Sequence, residues 1–257
     1  MGISSVVFIH GAWVTSACWD PFAARFSARG FTTHAPAWPH MDAPVTTLRA
    51  LSDPRFARLG ITAIVDHYAA FVGRLETPPL LVGHSFGGLF VQLLMDRGLG
   101  AAGVVIDGAP PRGILPGPDA TRAGLPVLLT PLAWQRAATM SYRSFRWGYA
   151  QTLAEEDAKA AYERHVVPAP GRIYWEALLG IGTGVAHAKR TKPLLLIAGL
   201  KDRTVEPRMV RANYRRHQRA AGPVELREFA GRSHWLIAEP GWEEVADAAI
   251  DWTARLA

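Results

Sequence analysis

The stretch Gly83-His84-Ser85-Phe86-Gly87-Gly88 constrains this chain more than any other. The apolar run Leu80-Leu81-Val82 leads into it, and Leu89-Phe90-Val91-Gln92-Leu93-Leu94-Met95 leaves it with helical character. A G-x-S-x-G pattern between a strand and a helix predicts a nucleophile elbow, a strained turn that exposes the serine hydroxyl. Gly83 and Gly87 have a steric role there: without a Cβ, they let strand and helix approach closely enough to push Ser85 outward.

The flanking sequence predicts the frame that such a turn needs. Val6 to Ile9 is a continuous apolar run, as expected for a strand buried on both faces, and it ends at His10-Gly11-Ala12-Trp13. Further strands are predicted over Phe31 to Ala35, Gly103 to Ile106, Leu194 to Ala198 and Val224 to Glu228. Helical spacing covers Trp19 to Arg29, Ile61 to Leu75 and a last segment started by Pro240, with Val245, Ala249, Trp252 and Leu256 on one face. This alternation predicts an α/β fold, a mostly parallel sheet of about six strands with helices on both faces. Residues 36–60 read as a long excursion with one short helical turn.

Between 109 and 192 the character changes. Proline and glycine crowd the chain as far as Pro131, aromatic-rich helical patterns follow, and no strand is evident. Thr152 and Glu155 fit a capping box opening a helix through Arg164. The expected organisation is a core of residues 1–108 and 193–257 with a helical cap, 109–192, inserted into it. A chain of 257 residues, 49% of them hydrophobic, can fill such a core.

Composition excludes several classes. No apolar run has the length of a membrane span, the N-terminus lacks a secretory signal, and the single Cys18 rules out an internal disulfide framework, so a cytoplasmic protein is expected. The net charge of +6 includes Arg208, Arg211, Arg215, Arg216 and Arg219 in one segment. These spread around a helix, which reads as a solvated face and predicts neither a nucleic-acid nor a membrane partner. Monomer and homodimer both stay open.

A serine hydroxyl is a weak nucleophile and needs a base, itself oriented by a third group. His234, in the loop Gly231-Arg232-Ser233-His234 after the last strand, is the expected base, and Asp202, just beyond the strand ending Gly199-Leu200-Lys201, the expected acid. Asp107 also ends a strand and is the fallback acid. Oxyanion stabilisation is expected from the backbone N–H groups of Phe86 and Ala12, with His10 and His84 bracing their loops.

Together these segments resemble the α/β-hydrolase superfamily: His10 to Trp13 its oxyanion loop, Gly83 to Gly88 its elbow, Gly199 to Asp202 its acid turn and Ser233-His234 its histidine loop, in the family's chain order. The likeness covers nearly the whole chain and is closest to compact members such as plant methylesterases and hydroxynitrile lyases. It implies a serine hydrolase acting on carboxylic esters, or on thioesters or lactones, with no metal and no organic cofactor. A serine at 85 disfavours haloalkane dehalogenases and epoxide hydrolases, which place a carboxylate there. Trp235, where the lyases carry a lysine, and Gly11-Ala12, where they place a threonine, disfavour cyanohydrin cleavage. Cofactor-free haloperoxidases, amidases and C–C hydrolases stay open, and a hydrolase-fold ligand receptor is disfavoured by the complete triad. The expected substrate is a small, largely apolar ester, with Trp13, Trp134, Met140, Phe145, Trp147 and Trp235 expected at its pocket.

Overall fold

The computed structural model of the chain describes residues 2–50 and 53–256. Its main sheet has six strands: β1 (Ser5–Ile9), β2 (Thr32–His34), β3 (Leu80–His84), β4 (Ala102–Ile106), and, beyond a two-residue pair labelled β5 (Ala137–Ala138) and β6 (Ala169–Pro170), β7 (Leu194–Gly199) and β8 (Val224–Phe229). The order is β2-β1-β3-β4-β7-β8, and every pairing is parallel. Strands β3, β4 and β7 are buried along their whole length, which explains why their sequences are apolar without alternation.

Eleven α-helices are assigned among the described residues: α1 (Asp20–Ser27), α2 (Val45–Ala50), α3 (Pro54–Ala57), α4 (Ile61–Val72), α5 (Phe86–Asp96), α6 (Pro118–Leu128), α7 (Tyr142–Gly148), α8 (Glu155–His165), α9 (Gly171–Leu179), α10 (Pro207–His217) and α11 (Trp242–Ala254). Helix α1 crosses from β1 outward to β2, and α4 crosses back over β1 to β3. Right-handed crossovers in opposite directions put these helices on opposite faces of the sheet. Helix α11 joins α1, tied to it by Arg25, whose guanidinium donates to both carboxylate oxygens of Asp247 at 2.9 and 2.6 Å. On the α4 side, α5 meets α10 where Asn213 donates to the Gln92 side chain at 2.9 Å.

Register then positions the chemistry. Ile9 pairs with Gly83, His84 with Ile106, Ile106 with Ile197, and Gly199 with Phe229. The carboxyl ends of β1, β3, β4 and β7 therefore lie at one edge, beside the point between β1 and β3 where the strand order reverses and open sheets place their ligands.

Several local expectations are corrected. The segment between β4 and β7 does contain strands, the antiparallel pair β5 and β6, too short to leave a period in the sequence. Helix α6 forms inside the proline- and glycine-rich stretch because Pro118 occupies its first turn, where a missing N–H is tolerated. Helix α8 is capped by Ala154 without a side-chain bond, so the Thr152 capping box does not form; the Thr152 hydroxyl donates instead to Glu239 at 2.6 Å. The 36–60 excursion holds two short helices, α2 and α3, the second opened by Asp53, which accepts from the Arg55 N–H at 2.8 Å. The last helix begins at Trp242, with Pro240 ahead of it. Among the described residues, no helix is long and apolar enough to cross a membrane.

Candidate active site

Ser85 occupies the turn between β3 and α5 with φ 56° and ψ −123°, backbone that non-glycine residues rarely adopt. Strain of this kind costs about 1–3 kcal/mol and persists only when its surroundings hold it. Here the Ser85 N–H donates to the Ile106 carbonyl at 3.1 Å, and its carbonyl accepts from Ala109 at 2.8 Å and Gly88 at 2.9 Å. A Cβ at Gly83 would overlap the Gly87 carbonyl, and one at Gly87 would overlap that of Ile9. Gly11 completes the packing: a Cβ there would stand 2.7 Å from the Ser85 Cβ.

His234 is wholly buried, and its Nδ1 lies 2.6 Å from Asp202 Oδ2. The other Asp202 oxygen accepts from the Thr204 N–H at 2.6 Å and the Val205 N–H at 2.8 Å. Three donors converging on this carboxylate orient it, so Nδ1 holds the imidazole proton and Nε2 is left as the basic nitrogen. Nε2 has no hydrogen-bond partner in this structure, and the Ser85 to His234 bond is not formed. Such bonds are often long before substrate binds. Two devices hold the histidine loop. The Nε2 of His84 donates to the His234 carbonyl at 2.8 Å, with burial keeping His84 neutral by pushing its pKa well below the usual range. Glu239, buried, accepts from the Ser233 N–H at 3.2 Å, the Ser233 hydroxyl at 2.6 Å and, from the segment between β4 and β7, Thr152.

The loop after β1 is fixed by His10. Its Nε2 accepts from the Trp38 N–H at 3.2 Å, so its Nδ1 donates to the Gly11 carbonyl at 2.9 Å. Burial lowers its pKa to about 4, which preserves this neutral tautomer. Among the described residues, neither Ala12 N–H nor Phe86 N–H donates a hydrogen bond. Phe86 opens α5, where a free N–H and the helix dipole favour negative charge.

Asp107, at the end of β4, accepts from the Gly199 N–H at 2.9 Å and makes no hydrogen bond to His234. Burial, and then the charge of Asp202, push its pKa well above the carboxylate range. Asp107, Asp202 and His234 form the one metal-sized cluster of ligand atoms among the described residues. An Asp107 whose pKa burial raises and an Nδ1–H already shared with Asp202 leave it a poor cation site.

Ser85 opens onto a cavity of about 330 Å³ whose lining is mostly apolar and includes Trp13, Phe86, Leu128, Tyr149 and Leu178. Of the residues expected at the pocket, the structure brings Trp13 to this cavity. Met140 and Trp147 line an adjoining groove instead. Trp134 is 45% exposed, packs edge-on against Trp175 and faces a separate hollow. Phe145 and Trp235 are buried, ring against ring, and act as packing behind the site. Tyr149 and Tyr174 also line this cavity and are not among the residues expected there. The Tyr149 ring stands perpendicular to His234 at 4.4 Å and lines the same cavity as Ser85, while burial raises the phenol's pKa. Tyr174 packs on Trp13 at 4.8 Å and Phe86 at 5.1 Å. Both belong to a run of aromatics in which core and pocket residues look alike.

A strained serine turn beside a buried histidine-carboxylate pair, at the carboxyl edge of a parallel sheet, is the arrangement of a hydrolase fold. The model of the alpha/beta hydrolase family matches residues 6–248, and the chain belongs to that family. No curated protein matches it. Solved structures share the fold at low identity. They include a monoacylglycerol lipase of Paleococcus ferrophilus, with TM-score 0.73, 18% identity and coverage of 100% of this chain and 97% of that one. The methylesterase MES16 of Arabidopsis gives TM-score 0.69 at 17% identity, covering 98% and 99%. A pyrethroid hydrolase of Sphingobium faniae JZ-2 gives 0.67 at 20%, covering 98% of both.

Proposed function

We propose that the protein is a serine hydrolase of carboxylic esters acting through Ser85, His234 and Asp202. The observation that carries this reading is the buried 2.6 Å pair of His234 Nδ1 and Asp202, which leaves Nε2 as an unpartnered base on a loop held by His84, the neighbour of the elbow serine. Ser85 Oγ attacks the acyl carbon while Nε2 takes its proton, and the negative charge on the carbonyl oxygen is stabilised by the N–H groups of Ala12 and Phe86. Collapse breaks the acyl bond, and His234 returns the proton to the departing alcohol. Water, activated by the same nitrogen, then releases the acid from Ser85. Asp202 stays ionised throughout and holds the imidazolium.

The apolar lining near Ser85 supports an uncharged acyl group, and the lipase and esterase neighbours agree with this chemistry. Residues 109–192 form the cap in this reading and supply much of the cavity wall. A phosphonate ester directed at serine hydrolases tests the proposal. Mass spectrometry of the labelled protein is expected to place the adduct on Ser85, with none on Ser85→Ala; an adduct elsewhere, or none on folded protein, overturns it. Turnover of matched esters, thioesters, amides and lactones then ranks the acyl bonds.

A further inference from the structure

Arg122, Arg143, Arg146 and Arg203 line a groove of about 810 Å³ beside the Ser85 cavity, and no aspartate or glutamate lines it. Trp13, Ala123, Tyr149 and Thr204 stand in the walls of both spaces. Glu155 pairs with Arg146 at 3.1 Å. The other three arginines take part in none of the ion pairs among the described residues. Two of them are held on one aromatic surface: the Arg122 guanidinium lies 4.1 Å from the centre of the Trp147 ring, and that of Arg203 lies 5.5 Å from it. Arg203 also follows Asp202 directly in sequence.

Like charges gathered in a concave space repel one another and raise the local concentration of anions. Guanidinium groups suit phosphate and carboxylate because their planar donors match two acceptor oxygens at once. The Ser85 cavity has the opposite character. Among its lining residues Arg112 is the one charged side chain, and the rest is dominated by apolar groups. An acyl carbon at Ser85 thus stands between an apolar space and a cationic one.

We infer that the arginine groove receives an anionic leaving group, so that the substrates are apolar acyl esters or thioesters of a phosphate- or carboxylate-bearing alcohol or thiol. This rests on the hydrolase reading above. In the step concerned, the bond from Ser85 Oγ to the acyl carbon forms, the bond from that carbon to the leaving oxygen or sulfur breaks, and the leaving atom takes the proton held by His234. The groove holds the anionic end while this occurs.

The test compares three hexanoyl thioesters that differ in charge: of N-acetylcysteamine, which is neutral, of N-acetylcysteine, which carries a carboxylate, and of coenzyme A, which carries phosphates. At low salt the wild type is expected to favour an anionic thioester over the neutral one by about tenfold in kcat/KM, mainly through KM, with the preference shrinking as ionic strength rises. Which anionic compound is favoured identifies phosphate or carboxylate as the group. Arg122→Gln with Arg143→Gln, checked for unchanged melting, is expected to reduce kcat/KM for the anionic thioester about tenfold more than for the neutral one. Equal kcat/KM for all three compounds, or an equal loss on all three in the variant, overturns the inference. If no thioester or ester is turned over, the hydrolase reading fails, and binding decides the groove separately. The non-hydrolysable thioethers S-hexyl-coenzyme A and S-hexyl-N-acetylcysteine are then compared with neutral S-hexyl-N-acetylcysteamine by calorimetry. Tighter binding of an anionic thioether, lost in the variant, supports the groove; equal binding of all three overturns it.

Discussion

A carboxyl oxygen of Asp107 and one of Asp202 lie within 4.8 Å of each other and of a ring nitrogen of His234, in a space closed to solvent. Two buried carboxyl groups this close do not both ionise readily. Their hydrogen bonds differ: Asp202 collects two backbone N–H groups and the imidazole, whereas Asp107 collects only the Gly199 N–H. Asp202→Asn should therefore lower kcat on an activated ester such as a p-nitrophenyl acyl ester by about 10²–10⁴-fold, because an amide no longer fixes the imidazole tautomer or stabilises its charge. Asp107→Asn, which keeps an acceptor for Gly199, should cost less than about tenfold. The reverse ranking would move the acid to Asp107.

The same pair predicts a pH signature in stability. The folded-state pKa of Asp107 is raised, so the folded protein keeps a proton that the unfolded chain releases. Its contribution is fully present below the ordinary carboxylate pKa and is lost as pH rises toward the folded value. Asp107→Asn removes this dependence. Its melting temperature relative to the wild type should climb from about pH 4 toward alkaline pH, with each kcal/mol appearing as about 2–4 °C in a chain of this size. His10, lowered to about 4, and His217, lowered to about 3, act in the opposite sense and destabilise the fold as pH falls below the usual histidine range. They are common to both proteins and cancel in the difference. A difference in melting temperature that is flat with pH would show that Asp107 holds no such proton.

How far the sequence revealed this arrangement depends on the kind of signal. Apolar runs such as Val6 to Ile9 and Leu194 to Ala198 report burial on both faces directly, which is why the four central strands β1, β3, β4 and β7 could be read from them. Ser85, Asp202 and His234 stand at strand ends, where chain position alone predicts convergence. Tyr149 and Phe145 could not be separated in this way, because both are buried aromatics four residues apart and only three-dimensional packing sends one to Ser85 and the other behind it. Thr152 misled for a related reason. A hydroxyl three residues before a glutamate satisfies the local capping pattern, yet a buried carboxylate 87 positions away competes for it more strongly.

That carboxylate, Glu239, joins the histidine loop to the segment between β4 and β7. Glu239→Ala would strand the Ser233 N–H and hydroxyl in buried space, with an expected loss of about 1–3 kcal/mol per unsatisfied group, seen as earlier denaturant unfolding. Thr152→Val removes one donor and leaves Ser233 bonded, so it should cost about 1 kcal/mol and less in kcat than Glu239→Ala. Equal effects of the two on kcat would mean that Glu239 acts on the segment between β4 and β7 and not on the position of His234.

Two glycines near the nucleophile should fail in different ways. At Gly87 an added methyl group meets the backbone carbonyl of Ile9, in the middle of the β1 to α5 contact, where no side chain can yield. Gly87→Ala is expected to cost about 4 kcal/mol or more and to appear as loss of folded protein. At Gly11 the methyl group meets the side chain of Ser85, 2.7 Å from its Cβ and 3.3 Å from its Oγ. The His84 carbonyl also lies 3.1 Å away, so the elbow has to shift slightly at Ser85, a smaller change than the 1.9 Å approach to the Ile9 carbonyl at Gly87 demands. Gly11→Ala should therefore melt within a few degrees of the wild type yet lose about 10²-fold in kcat, since a displacement of the attacking atom by about 1 Å is enough for such a loss. Circular dichroism melting and ester turnover on the two variants separate the outcomes. Full activity in a folded Gly11→Ala protein would show that the loop after β1 does not bear on the position of Ser85.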